Sequence, residues 1–138
     1  MSGTGHTVKS YEEEMQSLND NLVMMGSLTE SQMADAMAAV IKVDKDSVDK
    51  IVKNDGKINE LRSVIDNQIT TVLVKRAPMA VDLRITISTM KISHDLERIG
   101  DLAKSVAKKV KPLPVDLPDE LIGSLRRLGD LVQKQLKD

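Results

Sequence analysis

Ile51, Ile58, Ile65 and Val72 stand seven residues apart, and Leu61 and Ile69 widen the stripe they make. Apolar residues at that interval share one face of an α-helix, whereas a half-buried strand needs alternation at every second residue. The spacing returns upstream in Met15, Leu18, Leu22 and Met25, and again in Ala36, Val40 and Val43. A third seam runs through Ile85, Ile92, Leu96, Ile99, Ala103, Val106 and Val110. The β-branched run from Ile69 to Val74 lies inside the seven-residue pattern, so it reads as helix too. The chain is therefore expected to be all-α. Three long helices, each roughly 45 Å at 1.5 Å per residue, bury their stripes against one another as an antiparallel bundle crossing near ~20°.

Punctuation sets the boundaries. Residues 1–9 are rich in Gly, Ser and Thr and read as a loose arm, with the first helix from Ser10 to Val43. Glu12, Glu13 and Glu14 suit its first turn, where the helix dipole favours negative charge. Gly26 interrupts this helix and Gly56 the next. "VDKDSVDK" marks a turn in which Asp44 or Asp46 can cap the second helix, which runs to Arg76. Pro78 separates it from a third helix spanning Met79 to Val110, because the residue before proline disfavours helix. Residues 10–111 thus form one three-helix unit. Residues 112–118 carry Pro112, Pro114 and Pro118 and read as a stiff linker. Residues 119–138 make a fourth, C-terminal helix through Leu121, Leu125, Leu128, Leu131 and Val132.

Composition removes several functions. Tyr11 is the one aromatic residue, so base-stacking platforms for nucleic acid are absent. With no cysteine, thiol nucleophiles, disulfides and zinc–thiolate sites are excluded. A net charge of -1 provides no global field toward nucleic acid or anionic lipid. No run approaches the roughly 20 apolar residues that span a bilayer, so membrane association would go through a partner. No P-loop, nucleophile elbow or Ser/His/Asp arrangement is present.

The chemistry-bearing stretch is "HDLERIGD", His94 to Asp101. On a helical wheel Glu97 and Asp101 fall within about 40° of each other, on the side opposite the apolar seam. Their repulsion costs a few tenths of a kcal/mol on a bare helix, and a cation relieves it. Carboxylates one turn apart can share a hard or borderline metal ion. Asp55 sits at the edge of the second helix's stripe, and Asn59 follows one turn later. If the second and third helices are antiparallel neighbours, these residues can face the acidic pair. The competing readings are plain: Lys104 and Lys108 follow the acidic pair nearby, and Arg62 and Asp66 lie on the side of Asp55, as in an ordinary salt-bridge cluster. His94 precedes Glu97 in the order His-x-x-Glu, the reverse of the di-iron bundle motif, and reads as a surface residue or one that orients a ligand from behind, not as a ligand itself. Arg84, Lys91 and Arg98 share another side of the third helix and are candidate partner contacts, with solvated charge as the alternative.

Taken in order, "GHTVKSYEEEM", "MMGSLTESQM", "KRAPMAVDLR" and "KISHDLERIGDLAKSVAKKV" resemble the PhoU family, the accessory regulators of bacterial phosphate-specific transport. The match covers His6 to Val110 and is densest at "DLR" followed ten residues later by "DLERIGDLAKSVA". The resemblance implies two similar three-helix bundles, of which this chain holds the first and the opening helix of the second. It implies surface iron or zinc clusters on Glu/Asp-x-x-x-Asp motifs, here matched by Glu97 with Asp101. The companion motif departs from the pattern, since Asp55 is followed by Asn59, and Arg62 stands where an acid is often found. The expectations are a non-enzymatic, cytoplasmic adaptor, peripheral to the inner membrane, between the phosphate transporter's ATPase subunit and a sensor histidine kinase. It would keep starvation genes off when phosphate is plentiful, and form a homodimer. A metal-binding helical protein using Glu97, Asp101, Asp55 and Asn59, and a purely structural dimerising bundle, are the alternatives.

Overall fold

The computed structural model describes residues 2–76, 80–110 and 118–137. They form four helices, α1 (Ser2–Lys42), α2 (Asp46–Arg76), α3 (Ala80–Lys108) and α4 (Asp119–Lys137). Side-chain contacts give the directions. Gln32 on α1 meets Asp55 on α2, while Asn21 and Ser17 meet Gln68, so α1 and α2 are antiparallel. Arg62 reaches Glu97 and His94 reaches Asp66, so α2 and α3 are antiparallel as well. α1 and α3 run parallel, the geometry of an up-down-up bundle. α4 lies antiparallel on α1, with Gly129 beside Met37 and Lys137 3.8 Å from Glu30.

Helix α1 begins at Ser2, so the backbone read as a loose arm is helical. No proline interrupts it, and extending an existing helix needs no new nucleus. At its other end Val43 adopts a left-handed conformation (φ 49°). The Asp44 N–H donates to the Ala39 carbonyl (2.9 Å) and the Val43 N–H to that of Val40 (3.3 Å). That pair of bonds is the Schellman closure, in which glycine usually takes the left-handed position. Valine holds it here with its side chain packed on the core. Asp44 then closes the turn, accepting from the Asp46 and Ser47 N–H groups and from the Ser47 hydroxyl (2.7 Å). Of the two aspartates that could cap α2, Asp44 is the one that does. The junction at Pro78 and the linker prolines Pro112 and Pro114 lie outside the described residues.

Two apolar clusters fill the bundle. One gathers Leu18, Met25, Ile58, Ile65 and Ile69, with Met15, Leu22, Leu61, Met90 and Leu96 packed on it. The other gathers Met33, Ala36, Met37, Val40, Val48, Ile51, Ala103, Ala107 and Val110, and α4 adds Leu125, Val132 and Leu136. Each fully buried Leu, Ile or Met contributes about 1.5–3 kcal/mol.

The third seam is as expected at Leu96, Ala103 and Val110, but its first half is displaced by one residue. Ile85 and Ile92 are 49% and 46% exposed. Thr86, Ser93, Gly100 and Ala107 form a buried line, alternating with Thr89, half-buried Leu96, Ala103 and Val110. Hydrophobicity favours the isoleucines, but small side chains let α3 settle close to both neighbours. The Thr89 hydroxyl donates to the Ile85 carbonyl and that of Ser93 to the Met90 carbonyl, so their burial leaves no donor unpaired.

Candidate functional site

Heptad register places polar residues in the core at one level of the bundle. On α1, Gln32 continues the buried line of Leu18, Met25, Thr29 and Ala36. On α2, Asp55 falls between Val48 and Ile69 in a second line at the same interval. On α3 the matching position is Gly100, which is buried. Gln32 Nε2 donates to Asp55 Oδ1 (2.9 Å) and to the Gly100 carbonyl (2.8 Å), tying α1 to both neighbours. Its Oε1 accepts from Asn54 Nδ2 (3.2 Å). Gly100 keeps this layer close-packed. A Cβ there would sit 3.2 Å from Ile58 Cδ1, 3.6 Å from Asp55 Oδ1 and 3.7 Å from Gln32 Nε2.

The Asp55 side chain is 4% exposed, not at a stripe edge as the sequence suggested, so its charge needs a counterion. Lys104 provides one. Its ammonium lies 3.1 Å from Asp55 Oδ2 and 3.3 Å from Asp101 Oδ1. Hydrogen bonds to Asp55 and then to Asp101 hold the Lys104 ammonium above its ordinary pKa, against the opposing effect of burial. Asn59 donates its amide to Asp55 Oδ2 at 3.4 Å. One turn along, Arg62 pairs with Glu97 and approaches Asp66 at 3.7 Å, and His94 lies 3.5 Å from that same Asp66.

The four residues expected to hold metal are thus drawn to one flank of the α2–α3 contact, but each is engaged by the protein itself. Glu97 does not face away from the bundle: its side chain is 25% exposed and turned toward Arg62 on α2. Asp101 is the open one, at 60%. The wheel separated this pair from the isoleucine seam correctly. Because the seam is Gly100 and its neighbours, the far side of the wheel is the flank that meets α2. Asn59 presents an N–H to Asp55, and ammonium or guanidinium groups sit on Asp55, Asp101 and Glu97. Among the described residues no group of three or more His, Cys, Asp or Glu can hold a metal ion. This donor set does not fit a multinuclear iron or zinc cluster.

Sequence reasoning passed over Gln32 and Asn54. The available signal was Gln32 itself, a polar residue in register with Leu18, Met25 and Ala39.

The outer side of α3 is different in kind. Arg84, Lys91 and Arg98 are all exposed and seven residues apart, a stripe of about 21 Å at 1.5 Å per residue. Ile85, Ile92 and Leu102 (60% exposed) flank it. The partner contacts proposed from sequence therefore border exposed apolar surface. No helix among the described residues is long and apolar enough to cross a membrane.

Comparison with known proteins agrees with this architecture. The PhoU domain model matches residues 22–110. A phosphate-specific transport system accessory protein PhoU homolog of Caulobacter vibrioides is 41% identical over 136 residues, covering 98% of this chain and 59% of that protein. A homolog of the same description from Clostridium acetobutylicum is 33% identical, covering 96% of this chain and 61% of its own length. The crystal structure of PhoU from Pseudomonas aeruginosa superposes with a TM-score of 0.82 at 32% identity, covering 92% of this chain and 61% of the other. The chain thus spans about three fifths of the length of these relatives. These relatives carry the names of accessory proteins and not of enzymes. With one domain model over residues 22–110, relatives above 30% identity and the same helical bundle, the chain belongs to the PhoU domain family.

Proposed function

We propose that this chain is a non-enzymatic accessory regulator of phosphate uptake that works by docking. It would bridge the transporter's ATPase subunit and a sensor histidine kinase, and hold phosphate-starvation genes off while phosphate is plentiful. The relatives' names support the transport role. The observation that carries the docking reading is the outer face of α3. Arg84, Lys91 and Arg98 stand exposed beside Ile85, Ile92 and Leu102, whereas Glu97 and Lys104 on the same helix are spent on contacts within the bundle. A cationic stripe beside apolar side chains suits a partner helix that has an acidic edge and an apolar face.

The test is retention of the two partners. Immobilised chain is mixed separately with the ATPase subunit and with the cytoplasmic part of the sensor kinase. Retention of both supports the bridge, retention of the ATPase alone reduces the role to the transporter, and retention of neither removes the reading.

A homodimer is the second reading, and α4 favours it. Leu121, Leu128 and Leu131 form a stripe 45%, 56% and 62% exposed, next to the residues α4 buries on α1. Contiguous apolar surface of this kind marks association. Sedimentation equilibrium should show dimer, and charge introduced at Leu128 should return monomer.

A further inference from the structure

We propose that the ammonium of Lys104 is the resident cation of the acidic cluster and stands where a divalent ion would bridge Asp55 and Asp101. Three observations carry this. First, the two carboxylates come from different helices yet converge on one nitrogen, at 3.1 Å and 3.3 Å. An ammonium at those distances blocks a metal ion from the same oxygens, and its charge repels one from the neighbourhood. Second, the site is held from behind. Asp55 is fixed by Gln32, which is in turn fixed by Gly100 and Asn54, so the carboxylate cannot turn away to meet an ion elsewhere without breaking a buried network. Third, the neighbouring acids already have partners within the bundle, Glu97 in Arg62 and Asp66 in Arg62 and His94 at 3.7 Å and 3.5 Å. Lysine is suited to the place. It supplies three donors on a flexible stem, so one nitrogen can serve two carboxylates while the stem lies along the helix surface.

The bundle therefore obtains from its own sequence the cross-link that a metal ion would otherwise provide, at single charge and without dependence on metal supply. The geometry predicts a latent site: removal of the ammonium leaves two convergent carboxylates with no counterion, which is the arrangement that takes a hard divalent ion.

The experiment uses the full 138-residue chain without a histidine tag. Mn²⁺ alone is the probe, and its free-ion paramagnetic resonance signal is followed during titration with wild type, Lys104→Gln, Lys104→Ala and the Lys104→Gln/Asp55→Asn double variant. Circular dichroism checks the helix content of each. The expected result is that both single variants bind Mn²⁺ at least tenfold more tightly than wild type and that the double variant loses the gain. Equal affinity of wild type and folded single variants overturns the proposal. So does stoichiometric iron or zinc in freshly purified wild type, a measurement that holds whether or not the variants fold.

Discussion

Gln32 Nε2 lies 2.9 Å from Asp55 Oδ1 and, in the same layer, 2.8 Å from the Gly100 carbonyl, so one buried side chain links all three helices of the bundle. Buried polar layers of this kind fix register, because sliding any helix by one turn strands a donor in apolar surroundings. The layer lies between the two apolar clusters, one built on Leu18 and Ile65 and the other on Ala36 and Val110.

Removing both partners of this layer should cost less than the two single losses added together. Asp55→Leu leaves a Gln32 N–H unpaired and Lys104 with Asp101 alone, at about 2–4 kcal/mol. Gln32→Leu leaves the Asp55 oxygen and the Gly100 carbonyl short of a donor, at about 1–3 kcal/mol. The double substitution should cost less than the sum by at least about 0.5 kcal/mol. Urea denaturation of the four proteins measures the coupling, and strict additivity would show that the contact does not bind the helices.

The glycines should divide by what surrounds them. Nothing lies within 4 Å of a Cβ built on Gly56 or Gly123. Alanine at either should therefore stabilise by about 0.5–1 kcal/mol through helix propensity. At Gly129 a Cβ would meet Met37 Cε at 3.0 Å, Cγ at 3.1 Å and Cβ at 3.4 Å. There the near end of the methionine is involved as well as its flexible tip, so Gly129→Ala should lift α4 from α1. Hydrogen exchange should show α4 amides losing protection while α1–α3 retain theirs. Gly100→Val should destabilise the whole bundle by about 1–3 kcal/mol.

Two groups give opposite pH responses. The folded pKa of Lys104 is raised by Asp55 and Asp101, so its contribution is complete below the unfolded value, near 10.5, and is lost as pH rises through the folded value. The stability difference between wild type and Lys104→Gln should hold up to about pH 10 and shrink above it. The folded pKa of Asp44 is lowered, chiefly by the Ser47 hydroxyl and further by the Ser47 and Asp46 N–H groups. Its contribution is present above the unfolded value, near 3.8, and lost as pH falls through the folded value. Asp44→Ala should therefore match wild type at the acid end of a denaturation series and fall below it at neutral pH.

The Arg62–Glu97 pair should matter little to stability. Its side chains are 35% and 25% exposed, so water screens the pair. A double-mutant cycle should return under about 1 kcal/mol, falling with added salt.

Much of this arrangement was legible in the sequence, and particular residues show where legibility ended. Ile51, Ile58, Ile65 and Val72 announced α2 because the wide apolar stripe and the buried face coincide. On α3 they coincide at Ala103 and Val110 and part company at Ile85 and Ile92. Ile85 and Ile92 outrank Thr86 and Ser93 in hydrophobicity, yet the small residues are buried because close helix approach rewards small volume. That partial shift turns Glu97 toward α2, and a wheel centred on the isoleucines does not place it against Arg62. Lys104 was visible as a neighbour of the acids. Its role depends on Asp55, 49 residues earlier, a pairing that only the fold determines.

Docking of the transporter's ATPase subunit on the outer face of α3, as proposed, has a direct test. Calorimetric titration of that subunit with wild type and with Arg84→Glu/Lys91→Glu/Arg98→Glu tests it most directly. These side chains are exposed and apart from the buried layer, so the melting temperature should stay unchanged. Docking through this face predicts at least a tenfold loss of affinity in the variant, about 1.4 kcal/mol. Equal affinity of the two proteins would contradict it.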